Sequence, residues 1–299
     1  MNILVTGASG LIGSALIPYL IDRGNSVFKL ERGKIPSSGL FWDPENNIIE
    51  LPYNRSFDAV IHLAGENVGD GRWTAKKKER ILSSRIDGTE LISKTIAALE
   101  PKPQVMLSAS GIGIYSDQGN RIITEADSPG NSFLSDVCCK WEAATKPAQK
   151  AGIRVVHMRI APVLSLKGGI IKKLLPVFKL GLGASMGPGT QYLSWIVISD
   201  LLDAIDFILY NNSIVGPVNL CAPNPVTNYQ LTKSLAKVVN RPAIFNLPAT
   251  VLKIMFGQMA KEEVLFSNRA IPERLIKSNF RFAYPELEKG LRYILDANI

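Results

Sequence analysis

The sequence is poor in cysteine and contains no long uninterrupted apolar run, no repeat and no low-complexity tract. Two of its three cysteines are adjacent, Cys138 and Cys139, and the set has neither the spacing of a metal site nor the pattern of a disulfide framework. We therefore expect no bound metal and a reducing, cytoplasmic setting. No tract is suited to cross a bilayer and no basic leader precedes the first predicted strand, so we expect neither a membrane anchor nor a signal peptide.

Basic residues outnumber acidic ones, and this excess bears on the class of partner that the protein binds. The 299 residues carry a net charge of +8, and the densest basic run lies at residues 76–80. No nucleic-acid-binding module accompanies this run, so an exposed helix start is favoured over a DNA or RNA contact. An anionic small molecule is the other partner that the charge suggests. With 46% hydrophobic residues, the chain can bury the core of one large domain and a smaller lobe.

The most specific pattern is TGASGLIG, at residues 6–13. It follows an apolar, partly β-branched run typical of a strand and precedes apolar residues at helical spacing. The first glycine permits a tight turn, the second lets a pyrophosphate approach, and the third lets helix and strand pack closely, while the helix start supplies N–H groups to an anion. A glycine-rich turn without a ligand is the alternative. The residues expected to contact a dinucleotide here are Gly7, Ser9, Gly10, Leu11, Ile12 and Gly13.

The end of the second predicted strand, residues 26–30, bears on the kind of dinucleotide. Glu31 and Arg32 follow it. An acid at this point would bind the ribose hydroxyls of NAD, whereas an arginine would pair with the 2′-phosphate of NADP. We favour NADP, with NAD as the less favoured cofactor, because the guanidinium then has an obvious partner. Arg32 as an exposed loop residue is the alternative.

A second buried strand is predicted at residues 58–63, and small residues follow it. Leu63, Ala64 and Gly65 would let a cofactor lie across the carboxyl end of the sheet. The next helix, residues 74–99, places Arg85 on an otherwise apolar stripe. A charge there needs a partner, which is either an anionic ligand or a buried acid.

A serine-rich strand end follows at residues 105–111, with Tyr115 shortly after it. Further motifs accompany TGASGLIG, namely WDP, HLAGE, RWT, SAS-x-x-G, VCCKWE and SWI. Taken together, they resemble the extended short-chain dehydrogenase/reductases of the NAD-dependent epimerase/dehydratase superfamily. The closest resemblance is to the bacterial "epimerase family protein" subgroup, often labelled nucleoside-diphosphate sugar epimerase, and it covers essentially the whole chain.

This resemblance implies a Rossmann-type, doubly wound parallel α/β sheet with a smaller C-terminal α/β lobe. We expect a dinucleotide-binding domain at residues 1–165 and an interleaved substrate-binding lobe at residues 166–299, with the substrate cleft between them. The implied function is an oxidoreductase or epimerase acting on a small or nucleotide-linked carbonyl or alcohol, in a homodimer. Lysines at residues 172–179 would close over a diphosphate or line an exposed helix face.

The catalytic residues depart from what the resemblance implies. Such proteins use a serine to orient the substrate and a Tyr-x-x-x-Lys pair on the next helix to move a proton. Ser110 matches the serine, but the corresponding helix face holds Val137 and Trp141, or Cys138 and Glu142 if the register moves by one residue.

Substitutes for the missing pair come from elsewhere in the chain. Tyr115 is either a substitute proton donor or a loop aromatic that covers the ligand, and Arg85 replaces the usual asparagine of the long helix. Arg159, at the end of a strand at residues 153–160, is counted with the cofactor contacts. The absence of the pair leaves a second candidate function open, which is a catalytically silent NADP-bound regulatory or scaffold protein.

Overall fold

The computed structural model describes residues 1–32, 40–52 and 55–296. A 3₁₀ turn, Ile112–Tyr115, follows the strand that contains Ser110, and a π-helical turn, Ala260–Val264, lies in the C-terminal part. The strands and helices are, in chain order, β1 (Asn2–Thr6), α1 (Leu11–Asp22), β2 (Ser26–Leu30), β3 (Phe41–Asp43), β4 (Ile48–Glu50), β5 (Ala59–His62), α2 (Ala75–Ala97), β6 (Val105–Gly111), β7 (Ile122–Ile123), α3 (Phe133–Ala143), α4 (Lys146–Lys150), β8 (Arg154–Ile160), β9 (Val163–Leu164), α5 (Gly169–Lys179), β10 (Ala184–Met186), β11 (Tyr192–Leu193), β12 (Ile196–Val197), α6 (Ile198–Tyr210), β13 (Gly216–Leu220), β14 (Val226–Thr227), α7 (Asn228–Val238), β15 (Phe245–Leu247), α8 (Ala249–Phe256), β16 (Arg269–Ala270), α9 (Glu273–Lys277) and α10 (Leu287–Asp296).

The central sheet is parallel throughout and has the strand order β13-β8-β6-β5-β1-β2. The chain proceeds outward from β1 to β2 and then crosses to β5, so the order of strands reverses between β1 and β5. Ligands of open α/β sheets bind at such a reversal, outside the carboxyl ends of the strands. The predicted doubly wound α/β fold is confirmed, and the reversal places the first glycine turn beside the end of β5.

Alternate side chains of β1 enter two different cores, as expected for a strand buried on both faces. Ile3 and Val5 pack with Leu16 of α1 and with α6. Leu4 packs on the opposite face with Ile92 of α2 and the end of α4. Helices therefore cover both faces of the sheet and hold its carboxyl edge in place.

The C-terminal part is interleaved with the sheet. Strand β13, which lies beyond residue 165, forms one edge of the central sheet, and α7 and α10 pack around a third core that includes Trp195. Asp200 at the start of α6 is buried and accepts hydrogen bonds from the backbone N–H groups of Ala283 and Tyr284, both at 3.0 Å. These contacts attach the segment before α10 to α6, which itself packs against the sheet, while the division at residue 165 stays a prediction.

Helix α2 is the longest element, with 23 residues, but charged side chains interrupt it along its length. Within residues 1–32, 40–52 and 55–296, no helix combines the length and the apolar character needed to cross a bilayer.

Candidate active site

The glycine turn after β1 is packed so closely that side chains cannot replace two of its glycines. Gly7 has φ +71°, and a Cβ there would lie 2.7 Å from the carbonyl carbon of Leu63 and 2.8 Å from the nitrogen of Ala64. A Cβ on Gly13 would lie 2.3 Å from the carbonyl oxygen of Gly7. The turn, the start of α1 and the end of β5 are thus in backbone contact.

The start of α1 is open to an anion. Gly10 caps the helix without a side-chain hydrogen bond, and the first turn contains no acidic residue. Ser9 and Gly10 are exposed, and Leu11 and Ile12 are partly exposed. The N–H groups at a helix start are the usual partners of a pyrophosphate. The structure therefore brings the predicted contacts of residues 7–13 together at the strand-order reversal.

A cavity of about 140 Å³ lies at the carboxyl ends of β2 and β5. Arg32, Ala64 and Gly65 all line it, so residues predicted at the ends of two different strands meet at one place. The wall that the sequence did not predict is the β3–β4 hairpin, which contributes Trp42 and Asp43 from the WDP motif. Hydrogen bonds from Asn46, together with the nearby Arg32, lower the pKa of the Asp43 carboxyl.

Ser110 faces α3, and the helix residues next to it are those of the second register considered. Its Oγ donates a hydrogen bond to Glu142 Oε1 at 2.8 Å. Cys138 Sγ would lie 3.7 Å from a Cβ placed on Gly111, the next residue of β6. Cys138 and Glu142 therefore stand where Val137 and Trp141 were first expected. Burial raises the pKa of the Cys138 thiol to about 12.

Glu142 belongs to a buried ion pair beneath this site. Arg159 Nε lies 2.8 Å from Glu142 Oε1 and Nη2 lies 3.0 Å from Oε2, while Nη1 donates to the hydroxyl of Tyr115 at 2.9 Å. Tyr115 is fully buried and donates in turn to Asn219 Oδ1 at 2.7 Å, and burial raises its pKa to about 12. The predicted roles of Tyr115 as a proton donor and of Arg159 as a cofactor contact gain no support from this geometry and stay predictions.

Arg85 is 9% exposed and connects the end of β5 with α3. Its Nη1 donates to the carbonyl oxygens of Glu66 at 2.9 Å and Ile81 at 3.1 Å. Its guanidinium lies 4.7 Å from the centre of the Trp141 ring, and its Cζ would lie 3.3 Å from a Cβ on Gly65. Neither Nε nor Nη2 has a hydrogen-bond partner in the part of the chain that the structure describes. The buried-acid alternative therefore does not account for the whole guanidinium.

No sequence pattern singles out Glu263. It lies in the π-helical turn, and such turns are frequent at functional sites. The Arg85 guanidinium attracts its carboxylate. Burial raises the pKa of its carboxyl to about 7, and the attraction of Arg85 only partly offsets that effect. Its neighbour Glu262 accepts a hydrogen bond from the backbone N–H of Leu134, which attaches the turn to the start of α3.

Comparison with known proteins places this geometry in a family. Residues 3–221 match the sequence model of the NAD dependent epimerase/dehydratase family. The chain belongs to that family. Residues 247–294, which include the π-helical turn, match a second model, a domain of unknown function called DUF1731. The family expected from the sequence motifs is confirmed.

Curated relatives of this family extend over the whole chain. Epimerase family protein Mb2239 of Mycobacterium bovis is 37% identical over 292 residues, which are 97% of this chain and 96% of the relative. Epimerase family protein YfhF of Bacillus subtilis is 34% identical and covers 99% of this chain and 98% of its own length.

Solved structures agree with the fold and extend the comparison to a ligand. The crystal structure of human epimerase family protein SDR39U1 (isoform 2), which contains NADPH, superimposes with a TM-score of 0.91 at 31% identity and covers 99% of each chain. The UDP-glucose 4-epimerase of Thermotoga maritima matches with a TM-score of 0.74 at 18% identity, covering 100% of this chain and 99% of its own, and therefore supports the fold alone.

Proposed function

We propose that this protein binds NADPH along the carboxyl edge of the sheet and acts as an oxidoreductase or epimerase on a small or nucleotide-linked carbonyl or alcohol. The observation that carries the proposal is the convergence of the glycine turn, the open start of α1 and the Arg32 cavity at the strand-order reversal. The NADPH in the human relative of the same family supports the choice of cofactor.

The residues that would hold the dinucleotide follow from their positions. The turn at Gly7 and the start of α1 would take the pyrophosphate, and Leu63, Ala64 and Gly65 would lie beneath the cofactor at the carboxyl end of β5. Arg32 would pair with the 2′-phosphate, in place of the nearby Asp43 carboxylate. When bound, the nicotinamide supplies or accepts the hydride.

The chain's own proton chemistry is weak at the position where the family resemblance implies a tyrosine. The Ser110 hydroxyl donates to Glu142, so toward a substrate its oxygen is left to accept a hydrogen bond. The Cys138 thiol, with its pKa raised to about 12, stays neutral and is a poor acid at pH 7. We therefore expect slow or narrowly specific turnover, because general acid–base assistance is typically worth about 10²- to 10⁴-fold.

The cofactor part is tested by calorimetry with NADPH and NADH. We expect NADPH to bind at least about tenfold more tightly, which is about 1.4 kcal/mol, and Arg32→Ala to remove most of this preference. Arg281→Ala, which removes an exposed arginine outside the cavity, is the matched control for lost charge and should change neither affinity. Equal affinities for the two cofactors would instead assign the ribose contact to Glu31 and the cofactor to NAD.

The catalytic part is tested by turnover. We expect no appreciable interconversion of UDP-glucose and UDP-galactose, and interconversion at about 10 s⁻¹, an ordinary enzyme rate, would contradict our assignment of the α3 face. The buried engagement of Glu142 by Arg159 and Ser110 favours one other candidate, a cofactor-bound regulatory protein. Tight NADPH binding without absorbance change across a broad screen of carbonyls and alcohols would support that candidate.

A further inference from the structure

Three side chains from distant parts of the chain come near one another. Arg85 of α2 lies over the ring of Trp141 of α3, and Glu263 of the π-helical turn interacts electrostatically with Arg85. We propose that Arg85, Trp141 and Glu263 form the substrate-binding recess and that it takes a small organic acid, a carboxylate next to a hydroxyl or carbonyl group. The inference rests on the proposed function, because it assigns that function a class of substrate, and its binding test does not depend on turnover.

Arg85 supplies the anion-binding group. A guanidinium taken out of water needs an anionic or strongly accepting partner, and only one of its three nitrogens donates to the described residues, in both cases to backbone carbonyls. Carbonyl oxygens leave its positive charge without a counter-ion. The planar edge formed by the remaining nitrogens matches a carboxylate, which can accept two parallel hydrogen bonds.

Trp141 supplies an unused donor next to that guanidinium. The residue is 6% exposed, and its Nε1 is buried without a hydrogen-bond partner among residues 1–32, 40–52 and 55–296. Buried N–H groups are almost always hydrogen-bonded, so a bound acceptor would account for this one. The centre of the indole ring lies 4.7 Å from Arg85 Cζ, so the two donors belong to one locality.

Glu263 supplies the group that selects a second oxygen on the ligand. Arg85 and Glu263 attract each other, but the described residues include no direct ion pair between them, so both groups keep hydrogen-bonding capacity for a ligand. Glu263 is half-buried, and its carboxyl makes no hydrogen bond to the described residues. As a carboxylic acid it would donate to a carbonyl oxygen, and as a carboxylate it would accept from a hydroxyl.

The recess predicts a pH dependence of binding that can be derived from its charges. Glu263 faces Arg85 of α2 and its own neighbour Glu262, while Cys138 and Glu66 also lie near the guanidinium. Glu263 titrates near pH 7, and a bound anion would raise its pKa further by like-charge repulsion. Binding of the acid therefore takes up a proton and strengthens as the pH falls through this range.

The experiment uses glycolate and its neutral analogue glycolamide, which differ only in the charged group, with binding measured by calorimetry on the full chain with and without NADPH. We expect glycolate to bind at least about tenfold more tightly than glycolamide, and about tenfold more tightly at about pH 6 than at about pH 8. Arg85→Met should abolish the preference for glycolate, because charge-assisted contacts are lost.

Glu263→Gln separates a structural role from a binding role. Glutamine mimics the protonated acid, so this variant should keep glycolate affinity at about pH 6 and lose the pH dependence, whereas Glu286→Gln, at an exposed position, should behave as wild type. Equal binding of the two compounds, no binding of either, competition of glycolate with NADPH, or a pH dependence that persists in Glu263→Gln would each overturn the proposal. NADPH titration of the same samples tests the proposed function separately, since the cofactor can bind whether or not glycolate does.

Discussion

The groove around Gly7 and the recess around Arg85 lie at the same edge of the sheet, but backbone contacts build the first and side chains build the second. In the groove, the walls are the backbone of residues 7–13 and of Leu63 and Ala64, within 3 Å of where a Cβ would stand on Gly7. In the recess, the groups come from α2, α3 and the π-helical turn. The comparison teaches that the two kinds of site respond differently to substitution, since a site built from backbone contacts tolerates few sequences and a site built from side chains can be changed by single substitutions.

The largest expected effect is a loss of stability when the Arg159–Glu142 ion pair is broken, and it tests how far the side-chain-built region depends on single contacts. We expect Arg159→Met or Glu142→Gln to lower the free energy of unfolding by about 3–5 kcal/mol, because each leaves a buried charged or polar partner unpaired. Urea unfolding monitored by circular dichroism measures this loss in the free energy of unfolding.

The control for this pair lies on the same helix. Lys140 and Asp136 form an exposed pair at 2.8 Å, and Asp136→Asn should cost less than about 0.5 kcal/mol. A loss below about 1 kcal/mol in both buried-pair variants would mean that water or a rearranged neighbour replaces the missing partner, so that the ion pair does not hold Ser110 in place.

The next largest effect tests why the turn after β1 requires glycine, which is either the close backbone contact at Gly7 or its positive φ. Gly7 and Gly24 both have positive φ, +71° and +80°, but a Cβ on Gly24 would meet nothing within 4 Å. Gly24→Ala should therefore cost only the left-handed backbone penalty of about 1–2 kcal/mol and leave NADPH affinity unchanged. Gly7→Ala should cost about 1–3 kcal/mol more through overpacking and weaken NADPH at least about 100-fold.

Thermal unfolding and NADPH calorimetry on both alanine variants distinguish the two causes. If the two variants lose the same stability and both keep NADPH, the close approach at the turn does not shape the cofactor groove. The proposed cofactor site would then depend on Arg32 and the α1 N–H groups alone.

How far the sequence predicts each region follows from the range of the contacts. The strand, glycine turn and helix at residues 1–23 could be predicted because their determinants are neighbours in sequence. The register of α3 could not, because a shift of one residue turns Val137 and Trp141 toward Ser110 instead of Cys138 and Glu142, and only the packed partner Arg159 distinguishes them. Glu263 was missed for the same reason, since it meets Arg85 across a separation of more than 170 residues and no local pattern marks it.

The smallest expected effect concerns the lysines of α5. From the sequence alone, these lysines are equally compatible with closing over a ligand and with lining an exposed helix face. All of Lys172, Lys173 and Lys179 are exposed, and Lys173 Nζ donates to Gly69 O at 2.7 Å and Asp70 Oδ1 at 3.0 Å, in the loop after β5. An exposed pair of this kind is worth about 0–1 kcal/mol, so Lys173→Met should lower the free energy of unfolding by no more than that. The difference from wild type should also shrink as NaCl rises from about 50 mM to about 500 mM, because salt screens exposed charges.

Lys172→Met is the matched control, with the same lost charge and no contact to the loop among the described hydrogen bonds. NADPH and glycolate affinities should stay within about twofold of wild type in both variants. A loss of about tenfold or more in Lys173→Met alone would make the lysine a ligand contact, and α5 would then be part of the site that the side chains build.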